Sequence, residues 1–245
     1  MCYNVSTKKI SKEIEKQFKA KKDSAVTLPS NYYLSGFTNP LVPIISAKNP
    51  EIITAFNWGL IPDFCKNEID AKDMQLKTLN AKSETVFTLP SFKNSIREKR
   101  CLVLVDGFYE WRTIGKQKYP YFIKYKDSDV FAMGGIFNDW VNKQTGEVKH
   151  TFSIITTPSN VLMSKIHNEK MRMPFILPKG TEQSWLNQNL TDTEISDLMK
   201  PLADGELQAN TISKLITNKN KNPDTAEVQM HFEYPELEFI DALDN

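Results

Sequence analysis

The run Cys101–Val105 (CLVLV) constrains the fold more than any other part of the chain. Its continuous apolar, valine-rich character reads as a β-strand rather than a loop or a surface helix. Further strand signals gather around it. Tyr119–Tyr125 alternates like a half-buried strand, and Val130–Phe137 continues the pattern. Asn142–Gly146 then marks a turn before a third run, His150–Thr157. Upstream, Ile52–Trp58 alternates loosely and ends at Gly59, like a strand feeding a turn. Residues 31–47 hold Pro40 and Pro43 in an extended stretch that leads into LVPIIS. The centre of this chain is therefore built of strands.

Helical signals lie outside that centre. In residues 6–22, Ile10, Ile14 and Phe18 recur every four residues on a charged background, which predicts a short amphipathic helix on the surface. Asp63–Lys77 reads as a loop or short helix, and Thr85–Lys99 holds a possible helix around Pro90–Arg97. Thr181–Leu198 predicts one or two helices with Thr191 or Thr193 as caps. Phe175–Leu177 is a short apolar run after Pro174. Beyond Leu207 come one more apolar segment, a loop at Asn218–Asn222 and an acidic end. No repeat, low-complexity block or linker divides the chain, so one α+β domain over residues 1–245 is expected, its strands interleaved with peripheral helices.

Composition narrows the function classes. The formal net charge is +1, so no global field points to nucleic acid, although a local basic patch remains open. Three scattered cysteines, Cys2, Cys65 and Cys101, suit neither a disulfide framework nor a zinc site. No apolar run approaches a membrane span, and no charged-then-apolar leader precedes the fold. A reduced, cytoplasmic setting is expected, with no metal or cofactor.

The chemistry starts at Cys2. A residue as small as cysteine after the start methionine generally lets that methionine be cleaved. Cysteine would then carry a free α-amine and a thiol side by side. Such a pair condenses with an aldehyde to a thiazolidine; alternatively, the amine serves as base for its own thiol, as in N-terminal nucleophile enzymes. An α-amine of reference pKa near 7.7–8.0 is already roughly a tenth deprotonated at neutral pH. Taken alone, Cys2 reads better as a residue that merely follows a start codon; the rest of the chain changes that balance.

Other segments each carry two readings. Glu110, set among Phe108, Tyr109 and Trp111, is either a partly desolvated acid/base or a strand-end carboxylate in solvent. Asn80, Lys82, Ser83 and Thr85 can bind a sugar or phosphate, or form a capping turn. Trp58, before Gly59 and Pro62, can wedge against an unstacked base or belong to the core. Of the three histidines, His150 and His231 read as surface or packing residues. His167 sits in a loop near Arg172 and suits acid/base work or a phosphate-side contact.

In combination and in this order, these segments resemble the SRAP family (SOS response-associated peptidase-like proteins). The resemblance rests on Cys2, WGLIP at 58–62, NAKSET at 80–85, CLVLVDGFYEW at 101–111, and IH at 166–167 with RMP at 172–174. It spans residue 2 to about 178, and residues 210–223 are similar to the family's closing strand and loop. The resemblance implies curved, largely antiparallel β-sheets with flanking helices. It also implies binding of single-stranded DNA with an abasic site and capture of the opened sugar aldehyde by Cys2. Asn80 would orient the sugar or amine, Glu110 would assist ring opening and proton transfer, and His167 would shuttle protons. Lys82, Thr156 and Arg172 would touch phosphates, and Trp58 and Phe64 would line a wedge beside the lesion. A monomer acting in the cytoplasm, associated with the nucleoid when bound to DNA, is expected.

The chain departs from the family pattern at four places. Tyr3-Asn4 stands where Gly-Arg often follows the cysteine, Lys82 replaces an arginine, and Phe64 replaces a tryptophan. Three extra residues separate Ile166-His167-Asn168 from Arg172-Met173-Pro174. Two other function classes fit parts of the pattern. One is an N-terminal cysteine hydrolase, a peptidase or amidotransferase-like enzyme, with Asn80 as an oxyanion donor. The other is a noncovalent DNA-end reader that uses Lys82, Arg172 and the Trp58 loop.

Overall fold

The structure, a computed structural model, describes residues 2–9 and 13–237. In chain order the first elements are β1 (Asn4–Ser6), α1 (Glu13–Phe18), β2 (Lys21–Lys22), β3 (Leu34–Ser35), β4 (Leu41–Ser46), β5 (Asn49–Trp58), α2 (Glu68–Lys77), β6 (Asn80–Lys82) and α3 (Ser95–Glu98). There follow β7 (Arg100–Val105), β8 (Gly107–Ile114), β9 (Gln117–Tyr125), β10 (Phe131–Val141), β11 (Val148–Pro158), α4 (Val161–Ile166), β12 (Arg172–Pro174), α5 (Glu182–Leu186), α6 (Asp192–Leu198) and β13 (Leu207–Thr211). This is the expected α+β architecture.

Strand β7 is central because both of its faces are covered. Cys101, Val103 and Val105 point into one core, while Leu102 and Leu104 point into another. A strand buried on both sides has no polar face to alternate with, which is why its sequence is an unbroken apolar run. β7 pairs antiparallel with β10 and β4. β10 pairs with β11, and β4 with β5. β11 then meets β5 in parallel through Thr151↔Asn57 and Phe152↔Trp58, closing a five-strand ring. The sheet is largely antiparallel, as expected, with parallel pairings only of β11 with β5 and β6 and of β2 with β5 among the described residues.

A second sheet, in the order β13-β9-β8-β1-β3, is antiparallel throughout. Val5, Phe108, Ile123 and Tyr125 from this sheet share one core with Val103, Met133, Phe152 and Ile154 of the ring. The outer face of the ring packs under α1, α5 and α6 through Ile14, Phe18, Trp185 and Ile195. Among the described residues, no helix is long and apolar enough to cross a membrane.

Local competition explains the differences from sequence expectation. Of the helix predicted over 6–22, the described residues show Glu13–Phe18 as helical, while Ser6 belongs to the strand between β3 and β8 and Lys21–Lys22 pairs with β5. Ile14 and Phe18 are buried as their spacing demands, whereas Ile10 lies outside the described residues. Residues 85–92 form consecutive turns, and only Ser95–Glu98 is helical. Thr191, not Thr193, caps α6, with Glu194 reaching back to the Thr191 backbone.

Arg100 ties helices to the ring without any carboxylate. It is almost fully buried, and its guanidinium donates to the carbonyls of Ile96 and Arg97 (2.8 and 2.7 Å), of Trp185 (2.9 Å), and of Asn187. Those carbonyls end α3 and α5, where a helix has acceptors left over and a negative dipole end.

Candidate active site

Strand β1 delivers Cys2 to the interior. Ser6 and Val5 pair with Gly107 and Phe108 of β8, so extending the antiparallel register brings Tyr3 level with Glu110. Asp106 fastens the chain just after β1: its backbone N–H donates to the Ser6 carbonyl (3.0 Å), and its carboxylate accepts from the Lys9 N–H (2.5 Å). Cys2 itself is fully buried. Burial pushes its thiol far above the usual range, and the negative charge of Glu110 adds to the rise.

Asn80 reaches Cys2 from the ring. β6 runs parallel to β11, with Asn80 opposite Ile154 and Ala81 opposite Ile155. Because side chains alternate along a strand, Ala81 enters the core while Asn80 and Lys82 face the other way. The Asn80 amide Nδ2 donates to the Cys2 carbonyl (2.8 Å). Its Oδ1 is buried with no hydrogen-bond partner among the described residues, leaving an acceptor beside the cysteine.

Glu110 and His167 face each other across the same pocket. The His167 Nε2 lies 3.9 Å from the Glu110 Oε2, and both side chains are largely buried. His167 ends α4, whose first turn is capped by Asn160. Asn168 then clamps that end to β8, donating to the Thr113 carbonyl (2.7 Å) and accepting from the Thr113 N–H (3.0 Å). This clamp, three residues from Glu110 on β8, sets the histidine opposite the carboxylate. Glu169–Met171, the three-residue excess, loop outward as exposed residues and close a turn onto the His167 carbonyl. They leave His167 beside the Arg172 backbone.

Burial decides the charge states. It pushes the Glu110 carboxyl up to about 7 and lowers the basicity of His167. The His167 Nδ1 lies 2.8 Å from the Arg172 carbonyl, which can only accept, so Nδ1 carries the hydrogen. In the neutral ring Nε2 therefore presents its lone pair toward Glu110. The pair holds a poised proton near neutral pH: a carboxyl about half ionised and an imidazole ready to accept. At 3.9 Å, direct exchange between them needs a modest side-chain shift or a substrate atom between them.

The basic residues have definite places. Lys82 is exposed at the end of β6. Arg172 presents its fork to Glu84 in a bidentate pair (2.7 and 2.9 Å) and donates to the Thr156 carbonyl (2.6 Å) and hydroxyl (3.2 Å). Three expected contacts read differently in the structure. Thr156 is fully buried with its hydroxyl turned to Arg172, so it orients the guanidinium and does not itself face a phosphate. Trp58 is also fully buried, stacked on Phe152 (6.0 Å) and donating from Nε1 to the Leu79 carbonyl (2.8 Å); it is a core residue rather than an exposed wedge. Phe64 is exposed, but it lies toward the far end of β11. Its neighbour Cys65 accepts from Trp140 opposite Lys149, five residues or about 17 Å along the strand from Ile154 and Asn80.

Two residues without an assigned role also converge here. Glu84 is the carboxylate that occupies Arg172; it lay in the NAKSET segment, but nothing in the sequence paired it with residue 172. The Tyr3 ring lies against Phe37 in a tilted arrangement with centroids 4.9 Å apart. Burial raises its phenol pKa, and the charges of Glu110 and Cys2 add to the rise.

Comparison with known proteins agrees with this architecture. Residues 1–219 match the family model described as SOS response associated peptidase (SRAP). The chain is 36% identical over 190 residues to abasic site processing protein YoqW of Bacillus subtilis, covering 76% of this chain and 81% of that protein. It is 36% identical over 172 residues to abasic site processing protein HMCES of Gallus gallus, covering 61% of this chain and 50% of that one. A crystal structure of a protein from Bacteroides thetaiotaomicron superposes with a TM-score of 0.86 at 37% identity, covering 95% of this chain and all of the other.

Proposed function

Because the chain belongs to the SRAP family, we propose that it captures abasic sites in single-stranded DNA covalently through Cys2, after removal of Met1. The observation that carries this reading is the setting of Cys2. Asn80 holds its carbonyl, and Glu110, with a carboxyl pKa of about 7, lies close enough to raise the thiol pKa. Relatives named as abasic site processing proteins support the same substrate.

The chemistry follows from an amine and a thiol on adjacent carbons. With the sugar ring open, the Cys2 amine adds to the C1′ aldehyde, and the resulting carbinolamine loses one water to give an imine. The thiol sulfur then adds to the imine carbon while its proton passes to nitrogen, closing the thiazolidine. One C–N and one C–S bond form, the aldehyde oxygen leaves as water, and nothing is oxidised or reduced. A carboxyl half ionised near neutral pH suits both proton steps: Glu110 takes a proton as the amine attacks and supplies one as hydroxyl leaves. Asn80 Oδ1 offers an acceptor to the amine or to a sugar hydroxyl, and His167 Nε2 accepts a proton at the imine stage. A thiol kept protonated by burial fits late addition to an imine better than hydrolysis, which needs thiolate from the outset. Lys82 and Arg172 meet the flanking phosphates, with Arg172 exchanging Glu84 for phosphate. The protein acts as a monomer on DNA in the cytoplasm.

The test is a denaturing gel of wild type and Cys2→Ala with labelled single strands, one carrying an abasic site and one intact. A heat-stable shifted band that needs both the lesion and Cys2 is expected. Persistence of that band in Cys2→Ala, or no band from wild type shown by mass spectrometry to lack Met1, would refute covalent capture.

A further inference from the structure

We propose that the adjoining, tilted rings of Tyr3 and Phe37 form a shelf that takes the nucleobase next to the lesion; the inference rests on the abasic-site reading and names how that site grips the strand. An abasic position leaves its neighbouring base with one uncovered face. An aromatic ring beside the capture site can replace the missing stack, and this interaction is tolerant of sequence because every base has a π-face.

The geometry points to this pair for three reasons. Tyr3 directly follows Cys2, so its ring cannot stand far from the captured sugar. Phe37 lies against Tyr3 with ring centroids 4.9 Å apart and an interplanar angle of 33°, yet remains 56% exposed. It is thus a large aromatic surface in solvent at the edge of a buried reactive pocket. The shelf is also held rigid from below. The Gly36 N–H donates to the Tyr3 carbonyl (2.8 Å), and a Cβ on Gly36 would sit 3.2 Å from the Trp58 ring, so the turn rests on that tryptophan. Asn39 closes the turn at a left-handed φ of 48° and donates from its amide to the Trp58 carbonyl (2.8 Å).

Beyond Phe37 the surface opens into a cleft of about 560 Å³, lined in part by Leu41, Asn57, Gln75 and Leu76. Its lysines are already matched: Lys149 and Lys72 lie 2.6 and 3.9 Å from the Glu68 carboxylate. Glu68 and Glu147 offset Lys72 and Lys149 beside the apolar and amide side chains, so the cleft carries no excess positive charge for a phosphate and suits an uncharged base. Phosphates are left to Lys82 and Arg172 on β6 and β12.

The experiment reads noncovalent affinity by fluorescence anisotropy. Single strands carry a tetrahydrofuran abasic analogue, which has no aldehyde. One strand keeps both neighbouring bases, one lacks the 5′ neighbour and one lacks the 3′ neighbour. Phe37→Ala is expected to weaken binding to the complete strand about 5- to 150-fold, and to within about two-fold on one of the stripped strands. Phe37→Leu should lose most of the same affinity, because the ring face rather than apolar volume provides the stack. Unchanged affinity of Phe37→Ala on the complete strand, or an equal loss on all three strands, overturns the shelf. Wild type is crosslinked to an aldehyde-bearing strand in parallel. Failure there overturns covalent capture, whereas the anisotropy result decides the shelf separately.

Discussion

Glu110 should cost the protein stability, and replacing it should show how much. Its carboxyl titrates near 4.5 in the unfolded chain and is raised to about 7 by burial. Between those values the native state holds the proton more tightly than the unfolded state does. Glu110's contribution to stability is then greatest below pH 4.5 and falls as pH rises toward 7, because unfolding lets the carboxyl ionise in water. A rise of about 2.5 units at 1.36 kcal/mol each gives a loss of about 3 kcal/mol, complete above pH 7. Glu110→Gln keeps the shape of the protonated acid and cannot ionise. The variant should match wild type near pH 4 and gain through the pH 4.5–7 window. By pH 8 it should be about 3 kcal/mol more stable, or about 6–12 °C in Tm for a chain of this size. Denaturant titrations of both proteins across that range measure the difference, in which all other titrating groups cancel. A variant no more stable than wild type at pH 8, or a difference independent of pH, would refute the reasoning. The same variant should crosslink poorly if, as proposed, Glu110 moves the protons of capture.

Three further outcomes follow from the geometry. Arg100→Met removes the donor to four carbonyls at the ends of α3 and α5 and should destabilise by about 3–5 kcal/mol in urea unfolding. Glu84→Gln releases the Arg172 fork and should tighten single-stranded DNA binding several-fold at low salt. Because Glu84 is 48% exposed, its stability cost should stay below about 1 kcal/mol. Asn80→Ala loses the bond to the Cys2 carbonyl; it should slow crosslinking about tenfold or more in single-turnover gels while costing about 1 kcal/mol in a melt.

Much of the site was legible because its residues sit in short local segments. Cys2, Asn80, Glu110 and His167 each stand beside a recognisable neighbour, and the structure sets Asn80 and Glu110 against Cys2 and His167 against Glu110. Thr156 and Trp58 were harder, since a threonine on a strand or a tryptophan before a glycine reads the same whether its side chain faces solvent or core. Glu84 and Arg172 are 88 positions apart, and no local pattern announces that one carboxylate fills the other's fork. Phe37 carried no signal at all until Tyr3 was placed against it.

By itself the sequence showed the central strands β4, β5, β7, β9, β10 and β11, because apolar periodicity and turn residues act within a few positions; it did not show β1, β6, β8 or β12, which form by pairing with distant segments. It also pointed to the reactive group proposed above, since an amine beside a thiol needs no fold to be an aldehyde trap. Only tertiary structure decided which face of each strand was buried, that β11 would close the ring against β5, and that Glu110 would hold its proton to about pH 7. Those outcomes depend on desolvation and on contacts between distant segments, and both exist only once the two sheets have packed around Cys2.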